Sequence, residues 1–322
     1  MGARVAVAIV GFRNAGDIVR CLAALDTSTH ADFEVVICEN GGPTAHAALL
    51  AAVPATLSRG QPVAIVLAPG NLGYAGGVNV CLRLAPDADA WWVLNPDTEP
   101  HPEAMAAMLA RLLAGDCQAV GGTLYLPNGA VQSYGGRWRP WLARAVAIGH
   151  GGDLASPPRA AEVEKYQNYL SGASMMVSQR FVQAAGLMRE DYFLYCEEVE
   201  WCLRGAKRGM RLGFAPTALV RHAHGAATGA GGHLATQPRT PVYLGERNRI
   251  LLTRDRFAAV LPIAALAALA ILCLRCARGG RGGNLAMVWP AGGRVWPTSA
   301  ARRPGSRADG VEAIGEVAGK WA

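Results

Sequence analysis

Residues 63–97 read VAIVLAPGNLGYAGGVNVCLRLAPDADAWWVLNPD, and the fold is decided there. Val63–Leu67 is a short apolar run, the mark of a buried strand, and Ala90–Leu94 is another, with two tryptophans. Between them a glycine-rich loop, Pro69 to Asn79, opens a helix. Such a loop either receives phosphates on its backbone N–H groups or is simply a tight helix start. It matches neither the phosphate-loop pattern nor the dinucleotide fingerprint. The second strand runs straight into Asn95-Pro96-Asp97-Thr98-Glu99-Pro100. That puts a carboxylate at the C-terminal end of a parallel strand, where ligands gather in open α/β sheets. Asp97 either caps the helix expected from His101 to Leu113 or offers oxygen to a hard divalent ion.

The same rhythm extends towards the N-terminus. Val5–Val10 reads as a strand, Gly11 to Asn14 as a loop and Asp17 to Leu25 as a helix. Phe33–Cys38 is a strand that ends in the turn Glu39-Asn40-Gly41-Gly42-Pro43, and Thr44 to Val53 is helical. Strand, loop and helix recur about every thirty residues, which is βαβ architecture with a parallel sheet. Towards the C-terminus, Gln118–Tyr125 is a strand and residues 131–163 read as an irregular loop or lid, with Trp138 and Trp141 exposed. Tyr169 to Val177 gives a strand behind a tight glycine, with a helix to Ala185. Arg211–Phe214 and Ala218–Val220 are short strands leading into Arg221-His222-Ala223-His224-Gly225. Two histidines two apart on an extended segment face one side, as a metal or phosphate site or as exposed polar groups. Thr228 to Pro241 is glycine-rich and reads as mobile. Val242 to Arg256 is helical, with Arg247, Asn248, Arg249 and Arg254 on its polar side.

One element carries three carboxylates within four residues: DYFLYCEEVEWCLRGAKRG, residues 191–209, with Glu197, Glu198 and Glu200 at a helix start. Carboxylates there sit favourably against the helix dipole. Glu197 and Glu200 are expected to share a face with Arg204, leaving Glu198 pointing elsewhere. The group is either a solvated, salt-bridged first turn or a base whose pKa the nearby aromatics raise.

The chain's 322 residues suffice for one large domain, or one with a small appendage. From Arg275 onward there are eight Arg or Lys against three Asp or Glu, so the tail supplies five of the seven net positive charges. The rest is nearly neutral, which argues against a nucleic-acid groove. The eight cysteines read as reduced, packed thiols of a cytosolic protein, and the N-terminus reads as a strand rather than a signal peptide. Phe257 to Leu274 is an uncharged apolar run followed by Arg275 and Arg278. It is read as an interfacial helix held by the basic tail at the inner, cytoplasmic face of the cell membrane, with a buried core helix or a homodimer contact as alternatives. Residues 279–308 read as unstructured, and Ala308 to Lys320 as a weak helix.

Taken in order, the polar loop after the first strand, NLGYAGGVN, LNPDTEP and YFLYCEEVEWCLR followed by HAHG resemble the family 2 inverting glycosyltransferases, within them the branch that uses dTDP-rhamnose. The resemblance covers about residues 4–255. It implies the GT-A fold, a mostly parallel Rossmann-like sheet with helices on both faces, followed by a C-terminal helical appendage at 256–322. A donor half at about 1–125 and an acceptor half at about 126–255 are expected. By resemblance, Phe12, Arg13, Glu39, Asn71, Leu72, Gly73 and Asn79 would contact the nucleotide. Asn95 and Asp97 correspond to the DxD-like motif, and Asp97 with His222 would hold Mg²⁺ or Mn²⁺. Glu198 stands at the catalytic base, Arg204 and Trp201 on the acceptor side, and His224 would assist. Arg13 replaces a usual asparagine, and Glu39, Glu198 and Glu200 each replace a usual aspartate. The implied partners are a dTDP- or UDP-sugar donor and a glycan or lipid-linked acceptor. A nucleotidyltransferase and a non-catalytic membrane-associated binding protein are the rival readings.

Overall fold

The computed structural model describes residues 3–223 and 238–278. The elements are β1 (Val5–Gly11), α1 (Ala15–Asp26), β2 (Phe33–Glu39), α2 (Pro43–Ala52), β3 (Val63–Leu67), α3 (Gly73–Leu84) and β4 (Ala90–Leu94). Then come β5 (Thr98–Pro100), α4 (Ala104–Leu113), β6 (Ala119–Tyr125), β7 (Val131–Ser133), β8 (Gly136–Arg139) and β9 (Arg144–Ala147). The chain continues through α5 (Ala160–Glu164), β10 (Ser174–Ser178), α6 (Gln179–Ala185), α7 (Glu197–Lys207), β11 (Leu212–His222), α8 (Arg239–Arg256) and α9 (Leu261–Arg278).

The central sheet runs β3-β2-β1-β4-β10-β6-β11-β5, with β7 on the side of β6. β10, β5 and β7 run against the other strands, so the sheet is mixed but mostly parallel. β1 shows why it lies in the middle, since all seven of its residues are buried. Val5, Val7 and Ile9 belong to the core shared with α1, α2 and α4, while Ala6, Ala8 and Val10 lie on the α3 side. The small residues on the α3 side let a glycine-rich helix approach closely. A Cβ at Gly77 would lie 2.6 Å from Val10 Cγ1.

Three expectations change. Leu212–His222 is one strand with a register shift between Ala215 and Leu219, where two short strands were expected. The bulge breaks the apolar pattern without breaking the ladder. Residues 131–163 contain the β8–β9 hairpin, and Trp138 is buried while Trp141 is exposed. Alternation along β8 turns Trp138 inward, and its backbone N–H donates to Asn168 Oδ1 at 2.7 Å. On α8, Asn248 is fully buried rather than on the polar side. The expectations for His224, most of 228–241, and 279–322 lie outside the described residues.

Helix α9 packs on α8 and on the turn at Pro140–Leu142 between β8 and β9. It buries Ala264, Ala268 and Leu272 and exposes Ile263, Leu266, Leu269 and Leu274. Residues 258–275 are long and apolar enough to cross a membrane, with 17% of that window buried.

Candidate active site

A cavity of about 590 Å³ opens where the ends of β1, β2, β4 and β11 meet the starts of α3 and α7. Phe12, Asn71, Asn95, Asp97, Glu198 and His222 all line it.

Pairing of β5 with the end of β11 brings Asp97 and His222 together across a long stretch of sequence. Thr98 lies opposite His222, and Ala223 N donates to Asp97 O at 3.0 Å. His222 Nε2 consequently sits 3.3 Å from Asp97 Oδ1, with both side chains nearly buried. His222 Nδ1 is 2.9 Å from Gln132 Oε1. An amide oxygen only accepts, so Nδ1 carries a proton, and the neutral ring in that tautomer would offer Nε2 to a metal ion. An oxygen and an imidazole nitrogen, oriented by an outer amide, form a donor set that fits a divalent ion such as Mg²⁺ or Mn²⁺. Among the described residues no group of three His, Cys, Asp or Glu could hold a metal. The remaining ligands of an ion here would come from diphosphate and water.

The expected nucleotide residues divide. Phe12, Asn71, Gly73, Asn95 and Asp97 line the cavity. Leu72 lies behind them, its N–H donating to Asn40 Oδ1 at 3.3 Å. Asn40 also donates to Gly73 O at 2.9 Å and so straps the glycine-rich loop to the end of β2. Gly73 is required by geometry: its φ is +71° and a Cβ would lie 2.3 Å from Phe193 O. Glu39 is buried beneath the loop, where its Oε1 accepts from Arg13 N at 3.1 Å and Gly41 N at 2.6 Å. Arg13 donates to Gly41 O at 3.2 Å and lies over the Phe12 ring, so it shapes the cavity's edge from outside. Asn79 does not reach the cavity. Its amide donates to Met188 O and Glu190 Oε1, both at 2.9 Å, because its position in α3 faces the 188–190 segment.

Helix α7 splits its acids differently from expectation. Glu197 and Glu198 both line the cavity, whereas Glu200 is fully buried away from it and accepts from Arg204 and Arg256. Arg204 lies four residues after Glu200 but seven after Glu197, so only Glu200 is within its reach. Arg204 also donates to Leu187 O at 2.8 Å and to Ala185 O, which occupies its guanidinium with the protein itself. Trp201 is likewise internal, donating to Gly186 O at 2.7 Å and meeting Phe181 edge-on. Neither side chain lines the cavity.

Glu198 is partly accessible and passes beside Gly172 and Tyr74. Burial pushes its carboxyl up from 4.5 to about 7. Burial, with the Glu198 charge added, holds Glu197 well above the ordinary carboxylate range. Tyr74, whose OH donates to Gly172 O at 2.6 Å, is also pushed up, by burial and then by the Glu197 and Glu198 charges. A carboxylate near 7 in a cavity is matched to taking a proton at neutral pH.

The family model for glycosyl transferase family 2 matches residues 7–170, half of the chain. The chain belongs to glycosyl transferase family 2. Its likeness to solved structures fits that membership. The mannosyltransferase PcManGT from Pyrobaculum calidifontis, crystallised with GDP-Man and Mn²⁺, superposes with a TM-score of 0.53 at 16% identity, covering 89% of this chain and 84% of that one. The family 2 chain therefore has the GT-A fold. It is similar to the N-acetylglucosaminyl-diphospho-decaprenol L-rhamnosyltransferase of Mycobacterium tuberculosis, 27% identical over 252 residues, spanning 71% of this chain and 80% of the relative. The low-salt glycan biosynthesis hexosyltransferase Agl10 of Haloferax volcanii is 24% identical over 147 residues, 45% of this chain, and the match spans 46% of that protein.

Sequence reasoning missed Asn40, Tyr74, Gln132 and Asn248. Asn40 in a strand-end turn was the one with a local signal. Gln132 lay in a stretch read as irregular.

Proposed function

We propose that this glycosyltransferase is an inverting enzyme that moves rhamnose or a related deoxyhexose from a dTDP-sugar, or a UDP-sugar, to a hydroxyl of a glycan or lipid-linked saccharide. The observation that carries the reading is that Glu198 and the Asp97–His222 pair line one cavity. The rhamnosyltransferase relative supports the choice of sugar, and the N-acetylglucosaminyl-diphospho-lipid in its name is the acceptor class to try first.

A divalent ion on Asp97 Oδ1 and His222 Nε2 would neutralise the diphosphate of the departing nucleotide. Gln132 keeps His222 in the tautomer that leaves Nε2 free of a proton. Phe12, Asn71 and Gly73 form the wall against which the nucleotide lies. Glu198 takes the proton from the acceptor hydroxyl while that oxygen bonds to the anomeric carbon. The bond to the diphosphate oxygen breaks on the opposite face, so one displacement inverts the centre and no covalent intermediate forms. Glu197, whose carboxyl burial and the Glu198 charge also raise, lines the cavity beside the base.

Residues 1–255 form the transferase unit in this proposal, and 256–322 attach it to the cytoplasmic face of the membrane. The exposed apolar residues of α9 support peripheral attachment near a lipid-linked acceptor.

The test is nucleotide release from dTDP-rhamnose, UDP-sugars and GDP-sugars, each with and without N-acetylglucosaminyl-diphospho-polyprenol and Mn²⁺. The expected result is acceptor-dependent dTDP release and a product of inverted anomeric configuration by NMR. Release from GDP-mannose alone, or a product that retains configuration, would overturn the assignment.

A further inference from the structure

Helix α7 is approached through a backbone that L-residues rarely adopt. Phe193 (φ 64°), Tyr195 (φ 75°) and Cys196 (φ 68°) all lie in the left-handed region, and none is glycine. Such conformations persist only where the surroundings over-determine them. Cys196 at the N-cap of the helix makes no side-chain capping bond.

The hold comes from α8. Asn248, fully buried in the middle of that helix, donates from its amide nitrogen to the carbonyls of Tyr192 at 2.7 Å, Leu194 at 2.8 Å and Tyr195 at 2.8 Å. Two N–H bonds shared among three carbonyls need a carboxamide; a carboxylate has no proton to give and a hydroxyl has one. On the other side of the turn, Tyr74 N donates to Phe193 O at 2.6 Å. At the far end of α8, Arg256 reaches Glu200, in the first turn of α7. The catalytic helix is thus fastened to α8 both before it begins and one turn in.

We propose that Asn248 is a positioning residue for the base: it holds the left-handed turn at 193–196 that aims Glu198 into the cavity. This rests on the reading of Glu198 as the base. Asn248 does not line the cavity, so it acts only through the turn. Asp97 and His222 stand on other elements and do not depend on that turn. The turn also lines the cavity beside Gly73, through Phe193, Leu194 and Tyr195, so loosening it should cost turnover more than nucleotide binding.

The test uses the full chain with Asn248→Ala and, as a smaller change in hydrogen bonding, Asn248→Ser. Each is checked by circular dichroism and melting, then assayed for turnover at saturating dTDP-rhamnose and acceptor, with dTDP affinity measured by calorimetry. The expected result is a folded variant that melts lower, binds dTDP within about threefold of wild type and loses about tenfold or more in turnover. Turnover within threefold of wild type in a folded variant overturns the proposal. So does a loss of dTDP affinity in step with turnover. If neither variant folds, Asn248 is a folding residue only and the proposal also falls. Glu198→Gln in the same assay separates the two readings. Normal turnover there, with a loss in Asn248→Ala, retires Glu198 as the base and leaves Asn248 as a positioning residue for some other group. A loss in Glu198→Gln with normal Asn248→Ala retires Asn248 alone.

Discussion

Burial moves the Glu198 carboxyl from 4.5 to about 7, and the rate of the enzyme should follow that titration. A base works only when ionised. With a pKa near 7, about a tenth of the carboxyls are ionised at pH 6 and about nine-tenths at pH 8. The value of kcat/KM should therefore rise about tenfold across that interval. An ordinary carboxylate at 4.5 would change by only a few per cent there. Unfolding does not imitate the effect, because the linkage has the opposite sign. The folded chain keeps a proton that the unfolded chain releases between about 4.5 and 7, so this group's stabilisation is present at low pH and is lost as pH rises through 7. The protein should keep only about a tenth of its full rate at pH 6, although this group's contribution to its melting temperature is larger there than at pH 8. The assay is initial-rate nucleotide release at subsaturating donor, in constant ionic strength, beside a melting curve at each pH. Glu197→Gln should keep the limb near 7, since a protonated Glu197 and a glutamine carry the same charge. A flat profile from pH 6 to 8 would refute the reasoning. A limb that disappears in Glu197→Gln would move the base to Glu197.

Three other outcomes follow from particular contacts. Gly73→Ala should cost about 1–3 kcal/mol of stability, read by denaturant melting, because its φ is +71° and the new methyl meets the Phe193 carbonyl. Gln132→Leu removes the acceptor on His222 Nδ1 and should weaken Mn²⁺ binding in the presence of dTDP by about 10- to 100-fold, measured by calorimetry. Leu266→Glu with Leu269→Glu changes exposed positions only, so the melting temperature should hold while flotation with anionic vesicles is lost; equal flotation would rule α9 out as the attachment surface.

Much of the fold was legible because strand burial here is simple. β1, β2 and β4 are almost wholly buried, so each appears as a short continuous apolar run. The carboxylate after β4 and the histidine at the end of β11 were readable as a pair only through their resemblance to known motifs, since local sequence does not announce the β5–β11 pairing that joins them. Glu197 and Glu200 were both assigned to the Arg204 face from their spacing. The structure gives that cation to Glu200, the acid four residues away, and helix spacing does not announce that Arg256 of a neighbouring helix joins it there. Asn79 and Asn248 were hidden for the same reason. Each serves backbone carbonyls of a distant segment, and a polar residue with that task looks like a ligand contact or a solvated face until the partner segment is in place. Trp138 went inward because a three-residue turn at Pro140–Leu142 closes a hairpin within a stretch whose glycines and prolines suggested a loop.

The account turns on Glu198, and the most direct measurement is turnover of Glu198→Gln at saturating dTDP-rhamnose and acceptor, set beside its dTDP affinity and beside Glu197→Gln and Glu200→Gln. Glutamine keeps the size and a hydrogen-bonding end but cannot accept the proton. The account predicts a loss of about 10²- to 10⁴-fold in turnover for Glu198→Gln with dTDP binding unchanged. Near-normal turnover in that variant, with collapse in Glu197→Gln or Glu200→Gln, would contradict it.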